Sequence, residues 1–143
     1  MVKVTKLEHC SEQEIDEFFQ DDQQKKELLK EEWAREHGFF MEFGQEKLCF
    51  FVIEPVEGSH AWLRRLLMFR SNTKMAVFLL VFDWIAEEAE RQGYESLIVS
   101  VNDQVRAELL ELIQFKKIYE TPLNEELPGE WYEKKLQPVS KST

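Results

Sequence analysis

The sequence predicts an α/β chain of the α+β kind, with about seven strands and about four helices in the order β-α-α-β-β-β-α-β-α-β-β. Three observations carry this. Residues 39–43 and 47–54 (FFMEF and KLCFFVIE) are aromatic-rich runs of strand composition parted by Gly44, Gln45 and Glu46, which reads as a hairpin. Between residues 72 and 92 the apolar side chains Met75, Phe78, Leu79, Phe82, Ile85, Ala86 and Ala89 recur at helical spacing. Residues 96–101 (SLIVSV) then form a short, nearly continuous apolar run, the pattern of a central strand covered on both faces.

The remaining elements follow in order. Residues 2–8 alternate apolar and polar and read as a half-buried strand. Ser11 and Glu14 have the spacing of a capping box, opening a helix that runs to Phe19 with Ile15, Phe18 and Phe19 on one face. Asp21 or Asp22 caps a second helix over residues 21–38, with Leu28, Leu29 and Trp33 as its apolar stripe and Gly38 as its C-terminal stop. After the hairpin, residues 54–59 (EPVEGS) supply a turn and residues 61–69 (AWLRRLLMF) a third extended run. With the first strand, these make a four-stranded antiparallel unit. Gly93 ends the long helix, and Val77, Leu80, Val81 and Trp84 broaden its stripe. Asn102 or Asp103 caps an amphipathic helix over residues 105–115, and residues 116–120 pair with residues 130–136 across a loop.

At 143 residues the chain is long enough for one domain, expected over residues 1–136 with a frayed tail at 137–143. A net charge of -10 argues against nucleic acid as a partner, since phosphate binding needs a basic surface. One local basic patch, Arg64, Arg65, Arg70 and Lys74, interrupts that acidity. Cys10 and Cys49 have no metal or redox spacing and read as two buried thiols of a reducing cytosol. His9, His37 and His60 have no ligand spacing, so no metal is expected. No apolar run approaches the ~20 residues of a membrane span, and the N-terminus lacks a signal-peptide core, so the expected location is the cytoplasm and no membrane partner is expected.

The element order, the stretch AVFLLVFDWIAEEAERQGYESLIVSVN, the helix DQVRAELLELIQFKKI and the last strand EWYEKKL together resemble the GNAT superfamily of acyl-CoA-dependent N-acyltransferases over essentially the whole chain. The resemblance implies a mixed, mainly antiparallel sheet and a cofactor loop at the start of the central helix. It also implies acetyl-CoA or another acyl-CoA as co-substrate. The family's loop has the pattern Gln/Arg-x-x-Gly-x-Gly/Ala. Aligned on Ala76, this chain has Ser71, Asn72, Thr73, Lys74, Met75 and Ala76, so only the final small residue agrees. The implied acyl-CoA site comprises Met68, Arg70, Ser71, Asn72, Thr73, Lys74, Met75, Ala76 and Asn102. The N–H groups of a helix N-terminus bind anions without any particular side chain, whereas glycines allow closer approach. Lys74 and Arg70 offer charge where the family has glycine and backbone.

Many family members carry a tyrosine general acid on the next helix, five residues before the Phe of a Gly-Phe pair. Here that position is Leu110 and the glycine position is Gln114. Tyr94 and Tyr119 are near in sequence and read as packing residues with surface hydroxyls. Glu54 is the candidate base for the attacking amine, with Glu42 behind it. Arg64 reads either as a snorkelling edge residue or as an anion-binding group beside the cofactor arm.

Two function classes follow. One is an N-acyltransferase taking a small amine or a protein amine over acidic helices. The other is a non-catalytic module of the same fold. It would act either through a homodimer or partner surface on the aromatic strands, or as a sensor of an anionic metabolite using Arg64, Arg70 and Lys74.

Overall fold

The computed structural model describes residues 2–19, 21–56, 59–69, 74–120 and 129–137. In chain order these form β1 (Val2–Lys6), a 3-10 turn (Leu7–His9), α1 (Glu12–Phe18), α2 (Asp22–Leu29), α3 (Glu32–His37), β2 (Gly38–Phe43), β3 (Glu46–Val56) and β4 (His60–Met68). Then come α4 (Met75–Arg91), β5 (Ser96–Val101), α5 (Gln104–Leu112), β6 (Lys116–Ile118) and β7 (Glu130–Lys135). The strand order is β1-β2-β3-β4-β5-β7-β6. The predicted α+β class holds, with a mostly antiparallel sheet. The chain divides into two compact units, Met1–Glu54 with Arg64–Thr73 and Pro55–Leu63 with Lys74–Thr143.

In the first unit β1, β2 and β3 pair antiparallel, with Val4 opposite Met41 and Phe40 opposite Phe50. The capping box is present: the Glu14 N–H donates to Ser11 Oγ and the Ser11 N–H donates to Glu14 Oε1. Asp21, not Asp22, caps the next helix by accepting from the N–H groups of Gln23 and Gln24. Phe18, Phe19, Leu28, Ala34, Phe40, Phe50 and Val52 then pack as one core.

The expected single helix over 21–38 is two helices, which makes the helix count five among the described residues. On one continuous helix Leu28 and Ala34 would lie about 120° apart around the axis. Extended backbone at Glu31 re-aims the chain so that both are buried, and Arg35 Nη1 takes the freed Leu29 carbonyl. Gly38 is not a left-handed helix stop. Its φ is -87°, it opens β2, and a Cβ there would meet the Ala34 carbonyl oxygen at 2.3 Å. Other bounds differ modestly. The first strand ends at Lys6, because Leu7 turns inward in the 3-10 turn. Glu54, Pro55 and Val56 belong to β3 rather than to a turn. On the aromatic strands Phe39, Phe40, Phe50 and Phe51 are buried, and Phe43 is the large aromatic left exposed there among the described residues. The β2–β3 turn is made at Gly44, whose φ of +63° suits a two-residue hairpin.

In the second unit β4 pairs parallel with β5 from His60 opposite Ser96 to Trp62 opposite Ile98, and β7 pairs antiparallel with both β5 and β6. The long helix is described from Met75 to Arg91, against the expected 72–92. It ends as predicted at Gly93 (φ +93°): the Gly93 N–H reaches the Glu90 carbonyl and the Tyr94 N–H the Ala89 carbonyl. Asp103, not Asn102, caps α5 through the Val105 and Arg106 N–H groups.

The end of α5 repeats the same device with an unusual residue. The Gln114 N–H donates to the Glu111 carbonyl and the Phe115 N–H to the Leu110 carbonyl, with Gln114 at φ +73°. The backbone keeps a glycine's conformation although the side chain is not glycine. Gln114→Gly is therefore expected to stabilise the protein by roughly 1 kcal/mol, since left-handed strain exceeds the chain-entropy cost of glycine. Thermal melting reads this as a rise of a few degrees; a fall would show that the Gln114 side chain is worth more than its strain.

Candidate functional site

The first turn of α4 is the described part of the expected acyl-CoA site. Arg70, Ser71, Asn72 and Thr73 lie outside the described residues. Lys74 is the N-cap residue, in extended conformation (φ -69°, ψ 148°), and its side chain makes no capping hydrogen bond. The N–H groups of Val77 and Phe78 both turn back to the Lys74 carbonyl. Those of Met75 and Ala76 have no acceptor within the helix. Seventeen residues of aligned peptide dipoles stand behind them, equivalent to roughly +0.5 charge at this end. Lys74, Met75 and Ala76 are all exposed. Two backbone donors, a helix dipole and a lysine thus belong to one accessible turn, and Ala76 supplies the small side chain. This donor set fits a phosphate.

The other expected contacts belong to other elements. Met68 ends β4 and is half-buried. Asn102 follows β5 and lines a hollow of about 300 Å³ with Val101, Asp103, Gln104, Ala107, Gly129 and Glu130. Gly129 (φ +104°) lets the chain pass there, because a Cβ would sit 2.4 Å from Asn102 Oδ1 and 2.7 Å from Ser100 Oγ.

Glu54 is engaged. Its Oε2 accepts from Arg64 Nη1 at 2.7 Å, and the Arg64 guanidinium lies 4.1 Å from the centre of the Trp33 ring. Both ion-pair partners keep a quarter to a third of their side-chain surface in water, so the pair is worth no more than about 1 kcal/mol, with the aromatic stack adding a similar amount. Arg64 therefore follows neither sequence reading: it is neither an edge residue in water nor left to meet a foreign anion. Leu110 is fully buried and has no proton to give. Tyr119 is 87% exposed beneath Lys117, while Tyr94 is half-buried.

Strand pairing also assembles a polar cluster that no sequence spacing announces. His60 Nδ1 meets Ser96 Oγ, with Glu133 Oε2 3.6 Å from the same nitrogen. A nucleophilic serine would need the carboxylate on the other ring nitrogen, and Ser96 is completely buried. The cluster is a cross-strand lock. Cys49 is equally inert: burial pushes its thiol up to about 12. Cys10, expected to be buried, is only half-buried, and its thiol is also raised, first by burial and then by Glu14 and Glu42. Among the described residues no group of three or more His, Cys, Asp and Glu could hold a metal ion, and no helix is long and apolar enough to cross a membrane.

The break between α2 and α3 borders a groove of about 260 Å³ in the first unit. Its floor is Leu28, Trp33 and Leu67, and its rim is Gln24, Glu27, Lys30, Glu31 and Arg65.

No protein-family model and no curated protein sequence matches the chain. Solved structures do. The ribosomal-protein-S18-alanine N-acetyltransferase from Escherichia coli aligns over 100% of this chain and 99% of its own, with a TM-score of 0.61 and 10% identity. A GNAT-family acetyltransferase from Staphylococcus aureus aligns over 95% and 99%, with a TM-score of 0.63 and 11% identity. N-acetylglutamate synthase from Neisseria gonorrhoeae, solved with coenzyme A and N-acetyl-glutamate, aligns over 95% of this chain and 35% of its own, with a TM-score of 0.62 and 13% identity. Identities this low speak for architecture alone, and on that architecture the chain has the fold of the GNAT acetyltransferases.

Proposed function

We propose that the protein binds an acyl-CoA at the N-terminus of α4 and transfers the acyl group to an amine. The observation that carries this reading is the open first turn of α4, where Lys74 provides no side-chain acceptor and the Met75 and Ala76 N–H groups have none within the helix. Those donors and the Lys74 ammonium would hold the pyrophosphate; the thioester supplies an activated carbonyl. The amine, once it has lost a proton to water, attacks that carbonyl. The C–N bond forms and the C–S bond breaks. The sulfur leaves with the electron pair and takes up the second amine proton, giving an amide and a free thiol. With Leu110 at the acid position, that second amine proton reaches the thiolate through solvent, so catalysis rests on holding the two reactants together.

Likeness over the full length of one N-acetyltransferase, and over about a third of an N-acetylglutamate synthase solved with coenzyme A, supports the reading. A second reading, a non-catalytic binding module, draws on Leu110 and on the Glu54–Arg64 pair. The separating experiment follows release of the coenzyme A thiol from acetyl-CoA with and without a panel of amines. Amine-dependent release is the expected result; acetyl-CoA binding without amine-dependent release would favour the module.

A further inference from the structure

We propose that Met75 is an oxidation switch on the first turn of α4, its sulfoxide occupying the anion site and lowering affinity for acyl-CoA; this rests on the acyl-CoA reading above. Met75 opens α4 and is 58% exposed. Met41 is completely buried in β2, and Met68 is half-buried at the end of β4. Among the described residues, then, one methionine offers its sulfur freely to an oxidant in solution, and it stands on the turn that the cofactor would use. Nothing within the helix already closes that turn: the Met75 and Ala76 N–H groups have no acceptor there, and Lys74 supplies no side-chain cap. The two thiols compete poorly for an oxidant, because burial raises both Cys10 and Cys49 and the thiolate is the reactive form.

The oxidant is a peroxide. The sulfur lone pair attacks one peroxide oxygen; the S–O bond forms, the O–O bond breaks, and the other oxygen leaves as water once protonated. Sulfur loses two electrons and the peroxide gains them. An apolar thioether thus becomes a polar group with a strong acceptor oxygen. Long side chains on a helix lean toward its N-terminus, which brings that oxygen to the open N–H groups and to the positive end of a seventeen-residue dipole. There it caps the helix as the Asp103 carboxylate caps α5. A phosphate must then displace an acceptor that is covalently tied to the turn. Enzymatic reduction of the sulfoxide restores the thioether, so the change is reversible.

The test treats the protein with hydrogen peroxide, maps methionine oxidation by mass spectrometry of its peptides, and titrates acetyl-CoA calorimetrically before and after. Met75 is expected to oxidise about tenfold faster than Met41, and acetyl-CoA affinity to fall about fivefold and to recover with methionine sulfoxide reductase. The melting temperature without ligand should hold or rise, because the sulfoxide caps α4 and leaves the core intact. In Met75→Leu, peroxide should leave the affinity at that variant's own untreated value. The switch is overturned, and the acyl-CoA reading spared, by any of four results. These are Met75 oxidation no faster than that of Met41, an affinity that Met75 oxidation leaves unchanged, an equal loss in treated Met75→Leu, or a lower melting temperature without ligand. Untreated protein that binds no acetyl-CoA overturns the acyl-CoA reading, and the switch with it.

Discussion

Phe40→Ala is expected to destabilise the protein by about 3–5 kcal/mol and to lower its melting temperature by roughly 10 °C. Phe40 is completely buried at the centre of the first unit. Its ring stacks on Phe18 at 4.1 Å between centroids and contacts Phe19 at 5.7 Å, Phe50 at 5.2 Å and Phe69 at 6.4 Å. Removing it takes away apolar area, four ring contacts and the shape that holds α1 on the sheet. The surrounding rings are rigid, so collapse into the void is limited and the cavity cost remains. Phe43→Ala, at a position 48% exposed, serves as the control and should cost much less. Chemical denaturation with both variants measures the difference; equal losses would contradict a core centred on Phe40.

Gly38→Ala is expected to cost about 3 kcal/mol, the upper part of the range for overpacking. The added methyl would lie 2.3 Å from the Ala34 carbonyl oxygen and 2.6 Å from the Phe50 ring. A carbonyl in the helix backbone cannot swing aside as a flexible side chain can, so α3 or β2 must shift. Conformational strain plays no part, because φ at Gly38 is negative. Gly44→Ala separates the two effects: at φ +63° nothing lies within 4 Å of the added methyl, and only backbone strain of about 1 kcal/mol is expected. A Gly38 variant no worse than the Gly44 variant would show that α3 and β2 do not approach as closely as described.

Gly38 also shows how far the sequence could be read. A glycine after a helical stripe is good evidence for a helix end, and the helix does end there. Its reason, a close approach by Ala34 and Phe50, depends in part on a β3 residue twelve positions further on and has no local signature. The break at Lys30 and Glu31 was hidden for a related reason. Both are good helix formers, and packing of Leu28 and Ala34 overrides their propensity. Patterns that depend only on near neighbours were legible: the capping box at Ser11, the aspartate caps, the Gly93 stop and the strand alternations. The candidate site was legible in part. Lys74, Met75 and Ala76 stand at the helix start that the family's loop pattern points to. By contrast, the Trp33–Arg64–Glu54 stack joins α3, β4 and β3, and the His60–Ser96–Glu133 lock joins three strands. No one-dimensional spacing encodes either. Gln114 is the converse case: the residue argued against the family's turn, while its backbone adopts it.

The central claim is that the first turn of α4 holds the phosphates of an acyl-CoA, and thermal melting with acetyl-CoA tests it most directly. A ligand at a hundred times its dissociation constant stabilises the native state by about 2.7 kcal/mol, a rise of several degrees for a chain of this size. The account predicts that rise with acetyl-CoA. It predicts a much smaller one with Lys74→Glu, which places a carboxylate where the phosphates would sit without touching the core. An unchanged melting temperature at millimolar acetyl-CoA, or a shift that Lys74→Glu leaves intact, would contradict it.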